Sequence, residues 1–436
     1  MLNLDSIDAS VLDLTTKGYP LDAAPLPLAA IGGQQWNLLG GDMPLPLAVI
    51  RDSALRHNQA WMRDFAAATG VLLAPHGKTT MAPQIFAQQL AAGAWGMTVA
   101  NVQQLALCVR FGIRRVIMAN QLVGASEIRA VIELQQRHPD LEFHFLIDSS
   151  AQLLAIEAVA DTAASPAPGR KLNALVELGI PGGRTGVRSD DGALALARTI
   201  AASRIVALSG LECYEGLKIS GDSAHDAATV GALMQRLRNV ALACDREQLF
   251  AGPSIVLTAG GSAAFDIVAR ELPLQLTKPV LTILRSGCYV THDSGNYARL
   301  LEGVKARSGE PWQTCPGLQP ALEVWSRVQS CPEPGLAILT MGKRDASYDI
   351  EMPIPIKHHR GNASSAPQSV PASWKIAAMN DQHAYLRFAD DGTDPPRVGD
   401  LVGCGISHPC TTFDKWRVLF TVDDSYRVTG AIRTFF

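Results

Sequence analysis

VLLAPHGKTTMAPQIFAQQLAAGAWGMTVANVQQLALCVRFGIRRVIMAN, residues 71–120, sets the rhythm of the chain. Residues 71–74 are a short β-rich run. Residues 82–92 are an Ala/Leu/Gln-rich helical stretch closed by Gly93. A second β-rich run covers 97–100, a second helix 102–111 closes at Gly112, and a third run covers 115–119. A glycine after the last turn supplies the left-handed residue that ends a helix. Strand–helix alternation implies parallel strands with crossover helices. The same alternation continues through candidate strands 143–147, 174–178, 206–213, 255–259 and 281–284, with a helix over 192–203 capped by Ser189 or Asp190. Eight strands are the number that closes a (β/α)8 barrel. An open doubly wound sheet is the alternative that shares this rhythm.

The α/β barrel is expected over residues 46–285. Beyond 286 the helical period fades. Segments 337–341, 373–379, 383–388 and 416–422 read as strands between turns, so 286–436 together with 1–45 are expected to form a β-rich second domain. The first 45 residues hold several prolines and no clear helix, and are expected to pack on the β domain or the outside of the barrel. Turn-forming residues mark surface loops at 361–372 and, within the barrel, at 163–169.

Composition narrows the function. The chain has 436 residues, 47% of them hydrophobic, enough for a large core and against general disorder. Lys plus Arg number 38 and Asp plus Glu 41, a net charge of −3, without the basic excess of an electrostatic nucleic-acid binder. No apolar run reaches the roughly 18 residues of a membrane span. The first 20 residues lack a basic start followed by an apolar stretch, so no secretory signal is expected. Eight scattered cysteines without a CxxC pair suit reduced thiols in a cytoplasmic protein.

The chemistry falls where barrels keep it, beyond the C-terminal ends of the strands. Strand one leads to Pro75-His76-Gly77-Lys78-Thr79-Thr80, and strands two to four reach Asn101, Asn120 and Asp148. Strand five passes Glu177 to Gly182-Gly183-Arg184-Thr185-Gly186. Strand six ends at Tyr214-Glu215-Gly216, strand seven at Gly260-Gly261-Ser262, and strand eight at Ser286-Gly287-Cys288-Tyr289. Each feature alone is ordinary loop chemistry, and their common placement argues for an active-site rim.

Lys78 is the candidate nucleophile. An amine beside an apolar strand loses its proton more easily than one in water and can form a Schiff base with an aldehyde. Taken alone it reads as a surface lysine. His76 reads as a proton carrier or as a loop histidine. Gly260, Gly261 and Ser262 would present backbone N–H groups at the start of a helix, an arrangement that holds a phosphate. His408 and Cys410, two apart on an extended segment, would converge as soft ligands for zinc and leave positions open for substrate. Cys404 is a weaker third candidate, since its four-residue offset suits a helix better than a strand.

PHGKT at 75–79, ELGIPGGRTGV at 177–187, CYEG at 213–216, TAGGS at 258–262, SGCYV at 286–290 and VGDLVGCGISHPCTTFD at 398–414 follow one another in order. This set resembles the D-serine dehydratase and D-threonine aldolase family, pyridoxal-phosphate enzymes of the alanine racemase type, over roughly residues 45–436. The resemblance implies a barrel followed by a β domain. It implies that Lys78 holds the cofactor, Arg184 faces its phenolic oxygen, Tyr214 its ring nitrogen, and Gly260, Gly261 and Ser262 its phosphate, with Tyr289 nearby. It further implies that His408 and Cys410 hold the metal, the His-x-Cys form being typical of zinc-bearing dehydratases and His-x-Asp of aldolases. The family often reads RPHxKTH. Here Ala74 stands for the arginine and Thr80 for the second histidine.

The expectation is therefore a pyridoxal 5'-phosphate- and Zn2+-dependent lyase, with Mn2+ as the alternative metal. It would eliminate the β-hydroxyl of a D-3-hydroxy amino acid to leave a 2-keto acid and ammonia. D-serine, D-threonine, 3-hydroxyaspartate and D-glucosaminate are the candidate substrates. Retro-aldol cleavage to glycine and an aldehyde, racemization, and cofactor storage without catalysis are the alternatives. The resemblance also implies a homodimer, with His408 and Cys410 reaching a barrel in cis or in trans.

Overall fold

The computed structural model describes residues 2–162, 170–216, 219–360, 366–389 and 394–436. The expected loop at 163–169 lies outside the described residues, as does 361–365 of the loop expected at 361–372.

Eight strands form one sheet in which every neighbouring pair is parallel: Leu72–Leu73, Met97–Val99, Arg115–Gln121, Glu142–Ile147, Leu172–Leu178, Val206–Cys213, Ile255–Ala259 and Val280–Leu284. The first and last positions of the sheet meet. The Trp95 N–H donates to the Leu73 carbonyl at 2.7 Å and the Thr98 N–H to the Pro75 carbonyl at 2.8 Å, while His76 bridges Thr98 in parallel. The sheet thus curls into the expected barrel, and the open doubly wound alternative is set aside. Ala74, Ile117, Leu146, Leu175, Val256 and Ile283 fill the interior as a cluster separate from the main core. Each large aliphatic side chain buried this way contributes roughly 1.5–3 kcal/mol.

The crossover helices follow from local sequence. Pro83–Ala91 and Val102–Arg110 both stop where expected, before Gly93 and Gly112, whose φ angles are 102° and 98°. The helix Asp190–Ala202 is capped by Ser189, whose hydroxyl accepts from the Gly192 N–H at 3.1 Å.

After the barrel and one further helix, Asn296–Arg307, the chain forms a largely antiparallel β domain. Its long strand, Leu322–Glu333, pairs antiparallel with Leu336–Leu339, with Leu401–Gly405 and with Leu47–Arg51. Leu47–Arg51 therefore belongs to this sheet and not to the barrel, and it runs parallel to Val418–Val422. The Trp325 ring lies against Gly403, where a Cβ would come within 2.7 Å of it, so only glycine fits. The N-terminal segment packs on both bodies. The Asn3 N–H donates to Phe111 of the barrel at 3.2 Å, and the Val428 N–H of the β domain donates to Trp36 at 2.8 Å. It also forms a short helix, Asp5–Asp8, and a 3-10 turn, Leu28–Gly33, where no helix is expected from the sequence. Among the described residues no helix is long and apolar enough to cross a membrane.

Candidate active site

The loops after the barrel strands surround a cavity of about 330 Å3, and the β domain closes one side of it. Lys78, His76, Arg184, Tyr214, Gly260, Gly261, Ser262, His408 and Cys410 all line it. Nine candidates from five separated segments share one chamber.

Lys78 sits in the 3-10 turn Gly77–Thr79, reached from the first strand through Ala74, Pro75 and His76. Its side chain is exposed at the cavity and not buried beside the strand as expected. Gly77 is required here, since a Cβ would come within 2.9 Å of the Phe86 ring. His76 is half-buried, and its Nδ1 has no hydrogen-bond partner. Burial, together with the nearby Lys78, Arg285 and Arg184 cations, holds its imidazole well below the usual histidine value.

The loop carrying Arg184 is fixed from within. The Arg188 guanidinium donates to the carbonyls of Thr185 (2.5 Å), Arg184 (2.8 Å), Gly186 (2.9 Å) and Gly183 (3.1 Å). The Gly186 N–H donates to Asp148 at 3.0 Å, and the Thr185 hydroxyl to Glu177 at 2.7 Å. The clamped loop places the Arg184 guanidinium over the Tyr214 ring, 4.8 Å from its centroid. Burial, reinforced by Glu215, raises the Tyr214 hydroxyl above its ordinary value.

Gly260 and Gly261 form an oxyanion receptor. Their N–H groups donate to the two carboxylate oxygens of Glu215, at 3.1 and 2.6 Å. Gly260 has φ 93°, which aims both N–H groups at one point. These are the N–H groups expected from the sequence to hold a phosphate, and here they are satisfied by Glu215. The helix Phe265–Glu271 begins four residues after Gly261, so the turn itself supplies the donors and not a helix start. The Ser262 hydroxyl accepts from the Cys288 N–H at 3.2 Å.

Arg285 and Glu212 lie buried at the cavity wall as an ion pair, and Arg285 also donates to the Thr258 hydroxyl at 2.8 Å. Burial pushes the Glu212 carboxyl up to about 8 against the pull of Arg285.

His408 precedes the short helix Cys410–Phe413, so the two candidate ligands sit on a turn and not on the extended segment expected. Cys410 nevertheless faces the barrel of its own chain. Its Sγ is 3.5 Å from Thr79 Oγ1 and 3.6 Å from Cys288 Sγ. His408 Nδ1 is 2.6 Å from Asp349, which also accepts from the Thr411 hydroxyl at 2.8 Å. This leaves Nε2 toward the thiol. Cys410 and Asp349 push the imidazole up to about 9. Cys288, His408 and Thr79 hold the Cys410 thiol well below its ordinary value. An imidazole oriented by a carboxylate and a neighbouring thiolate make a suitable donor pair for a soft divalent metal. Among the described residues no three His, Cys, Asp or Glu side chains stand together as a metal cluster.

Two candidates lie elsewhere. Tyr289 does not line the cavity. It is buried, and its hydroxyl accepts from Gln89 at 3.1 Å, beside the helix Asp52–Thr69. Cys404 is buried in strand Leu401–Gly405 and does not reach the cavity. Glu212, Glu215, Arg285, Cys288 and Asp349 were not singled out from the sequence. Glu215 and Cys288 stood inside quoted motifs, and that proximity was the available signal.

The fold and site define a class: two-domain barrel proteins in which a lysine after the first strand faces a glycine oxyanion turn across the barrel mouth. Residues 50–291 match the family described as "Alanine racemase, N-terminal domain", and residues 321–422 match "Putative serine dehydratase domain". The chain belongs to the alanine racemase-type family. It is 26% identical to a D-threonine aldolase from Arthrobacter sp. over 383 residues, 86% of each chain. It is 28% identical to D-threo-3-hydroxyaspartate dehydratase from Delftia sp. (strain HT23) over 250 residues, covering 57% of this chain and 61% of the relative. Among solved structures, D-threonine aldolase from Filomicrobium marinum superposes with a TM-score of 0.73 at 22% identity, covering 92% of this chain and 97% of the other. The Delftia dehydratase superposes at 0.69 with 21% identity, covering 92% and 99%, and one of its cysteine-to-alanine variants is described as metal-free.

Proposed function

We propose that this chain is a pyridoxal-phosphate- and metal-dependent lyase that removes the β-hydroxyl of a D-3-hydroxy amino acid, leaving a 2-keto acid and ammonia. The observation that carries it is the convergence, within one chain, of Lys78, the Gly260–Gly261 oxyanion turn and the His408–Cys410 pair on one cavity. The relatives named above, a dehydratase and aldolases of D-3-hydroxy amino acids, support the substrate class.

When bound, pyridoxal 5'-phosphate supplies an electron sink for the pair left by a broken Cα–H bond. A divalent metal supplies a Lewis acid for the β-hydroxyl. Lys78 would hold the cofactor's aldehyde carbon, and its free amine would take the Cα proton. Gly260 and Gly261 would hold the phosphate in place of Glu215, with Ser262 beside them. Arg184, steadied by Arg188, would face the phenolic oxygen, and Tyr214 the ring nitrogen. His408 Nε2 and Cys410 Sγ would hold the metal, zinc by donor type. His76, neutral at rest, would act as a relay and not as the resting acid. We propose a homodimer as the working form, each chain supplying both halves of its own site, which light scattering of the purified protein measures.

The deciding experiment incubates purified protein with a panel of D-serine, D-threonine, 3-hydroxyaspartate and D-glucosaminate and scores keto acid against glycine. Keto acid supports elimination. Glycine with an aldehyde supports the retro-aldol reading, which the 86% coverage by an aldolase relative favours as the second choice. Activity that resists chelators would support a racemase, and cofactor binding without turnover a storage protein.

A further inference from the structure

We infer that Cys288 and Cys410 form a modification site, a dithiol that hydrogen peroxide closes to a disulfide across the two domains. Cys288 opens the turn after the eighth barrel strand, and Cys410 opens the short helix of the β domain, 122 residues later. Their sulfurs are 3.6 Å apart, in van der Waals contact, and a disulfide bond of about 2.05 Å needs the two to approach by roughly 1.5 Å. A side-chain rotation supplies that movement. Both sulfurs face Thr79 Oγ1, at 3.9 and 3.5 Å, and both residues line the cavity, through which a small peroxide has access. Cys108, Cys213, Cys244 and Cys404 are buried, as Cys288 is, but they line none of this cavity.

The chemistry balances. The Cys410 sulfur attacks one peroxide oxygen, the O–O bond breaks, and a sulfenic acid and water form. The Cys288 sulfur then attacks the Cys410 sulfur, the S–O bond breaks, and a second water leaves. Two thiols and one peroxide give one disulfide and two waters. The disulfide would withdraw Cys410 from the metal without touching Lys78. The dithiol rests on geometry alone, whereas its protection by metal rests on the function proposed above.

The test treats chelated, cofactor-loaded protein with one equivalent of hydrogen peroxide and maps its peptides without reduction. The expected result is one cross-linked species joining the peptides of Cys288 and Cys410, reversed by dithiothreitol. Oxidation of Cys410 to a sulfenic acid that persists with no cross-link overturns the proposal. Cys288→Ser, nearly isosteric, is expected to abolish the cross-link and leave Cys410 as a sulfenic acid that dimedone traps. A dithiothreitol-reversible cross-link that persists in that variant also overturns it. Zinc at about ten times its Kd should slow cross-linking roughly tenfold by occupying Cys410. Cross-linking at an unchanged rate in zinc supports the dithiol while refuting the metal assignment.

Discussion

Thr79, next to Lys78 in the barrel, and Cys410, from the β domain, touch within one chain, Oγ1 to Sγ at 3.5 Å. The candidate metal pair therefore reaches the barrel in cis, the arrangement that sequence order left open. Mixing a Lys78→Ala chain with a His408→Ala chain should restore no activity, because every cavity then lacks one of the two groups. Recovery in the mixture, measured as turnover of the best panel substrate, would contradict the cis arrangement.

Lys78→Ala should lose turnover by more than about a hundredfold, in the range typical of a positioned base. The visible band of the bound cofactor should be lost as well. Borohydride reduction of the wild type should label one peptide, the one containing residue 78. Labelling elsewhere refutes the assignment.

Metal binding should release a proton. His408 is held protonated up to about 9 by Cys410 and Asp349, and a metal takes only the neutral ring. The apparent Kd for zinc should tighten about tenfold per pH unit between pH 7 and 8, read by titration against a competing chelator. Folding stability runs the opposite way. A histidine raised above its unfolded value stabilises the fold below about pH 6.5, and that contribution fades as pH rises through 9. A zinc Kd that does not change with pH would show that His408 is not a ligand.

Asp349→Asn should weaken zinc binding by about 10–100-fold while leaving the cofactor band in place, because the carboxylate orients the ring and does not itself ligate. An unchanged zinc Kd would count against that positioning role.

Glu212→Ala should destabilise the fold by about 1–3 kcal/mol, since it takes one buried hydrogen-bond partner from the Arg285 guanidinium, which keeps Thr258. Urea unfolding gives the measure. A loss below about 1 kcal/mol would mean that water or cofactor compensates the charge.

Strands Val206–Cys213 and Ile255–Ala259 are legible in sequence to the residue because they are apolar runs bounded by turn signals. Leu47–Arg51 is equally apolar and runs straight into a helix, so it reads as a barrel element, yet it joins the other domain's sheet. Local pattern reports that a segment is a strand. It does not report which edge the strand pairs with.

The sequence by itself determined the barrel, the β domain and most of the rim, because strand–helix period, capping residues and glycine turns act over a few neighbouring residues. It also placed Lys78, Arg184, the glycine turn and the His408–Cys410 pair in ordered motifs. Tertiary structure alone decided that Glu215 occupies the Gly260–Gly261 turn, that Asp349 orients His408, that Cys288 meets Cys410 and that Tyr289 turns away toward Gln89. These partners are separated by 46, 59, 122 and 200 positions. No local propensity encodes such pairings. They come from closing the barrel and docking the β domain on its mouth, where the burial of two apolar faces dictates which polar groups meet.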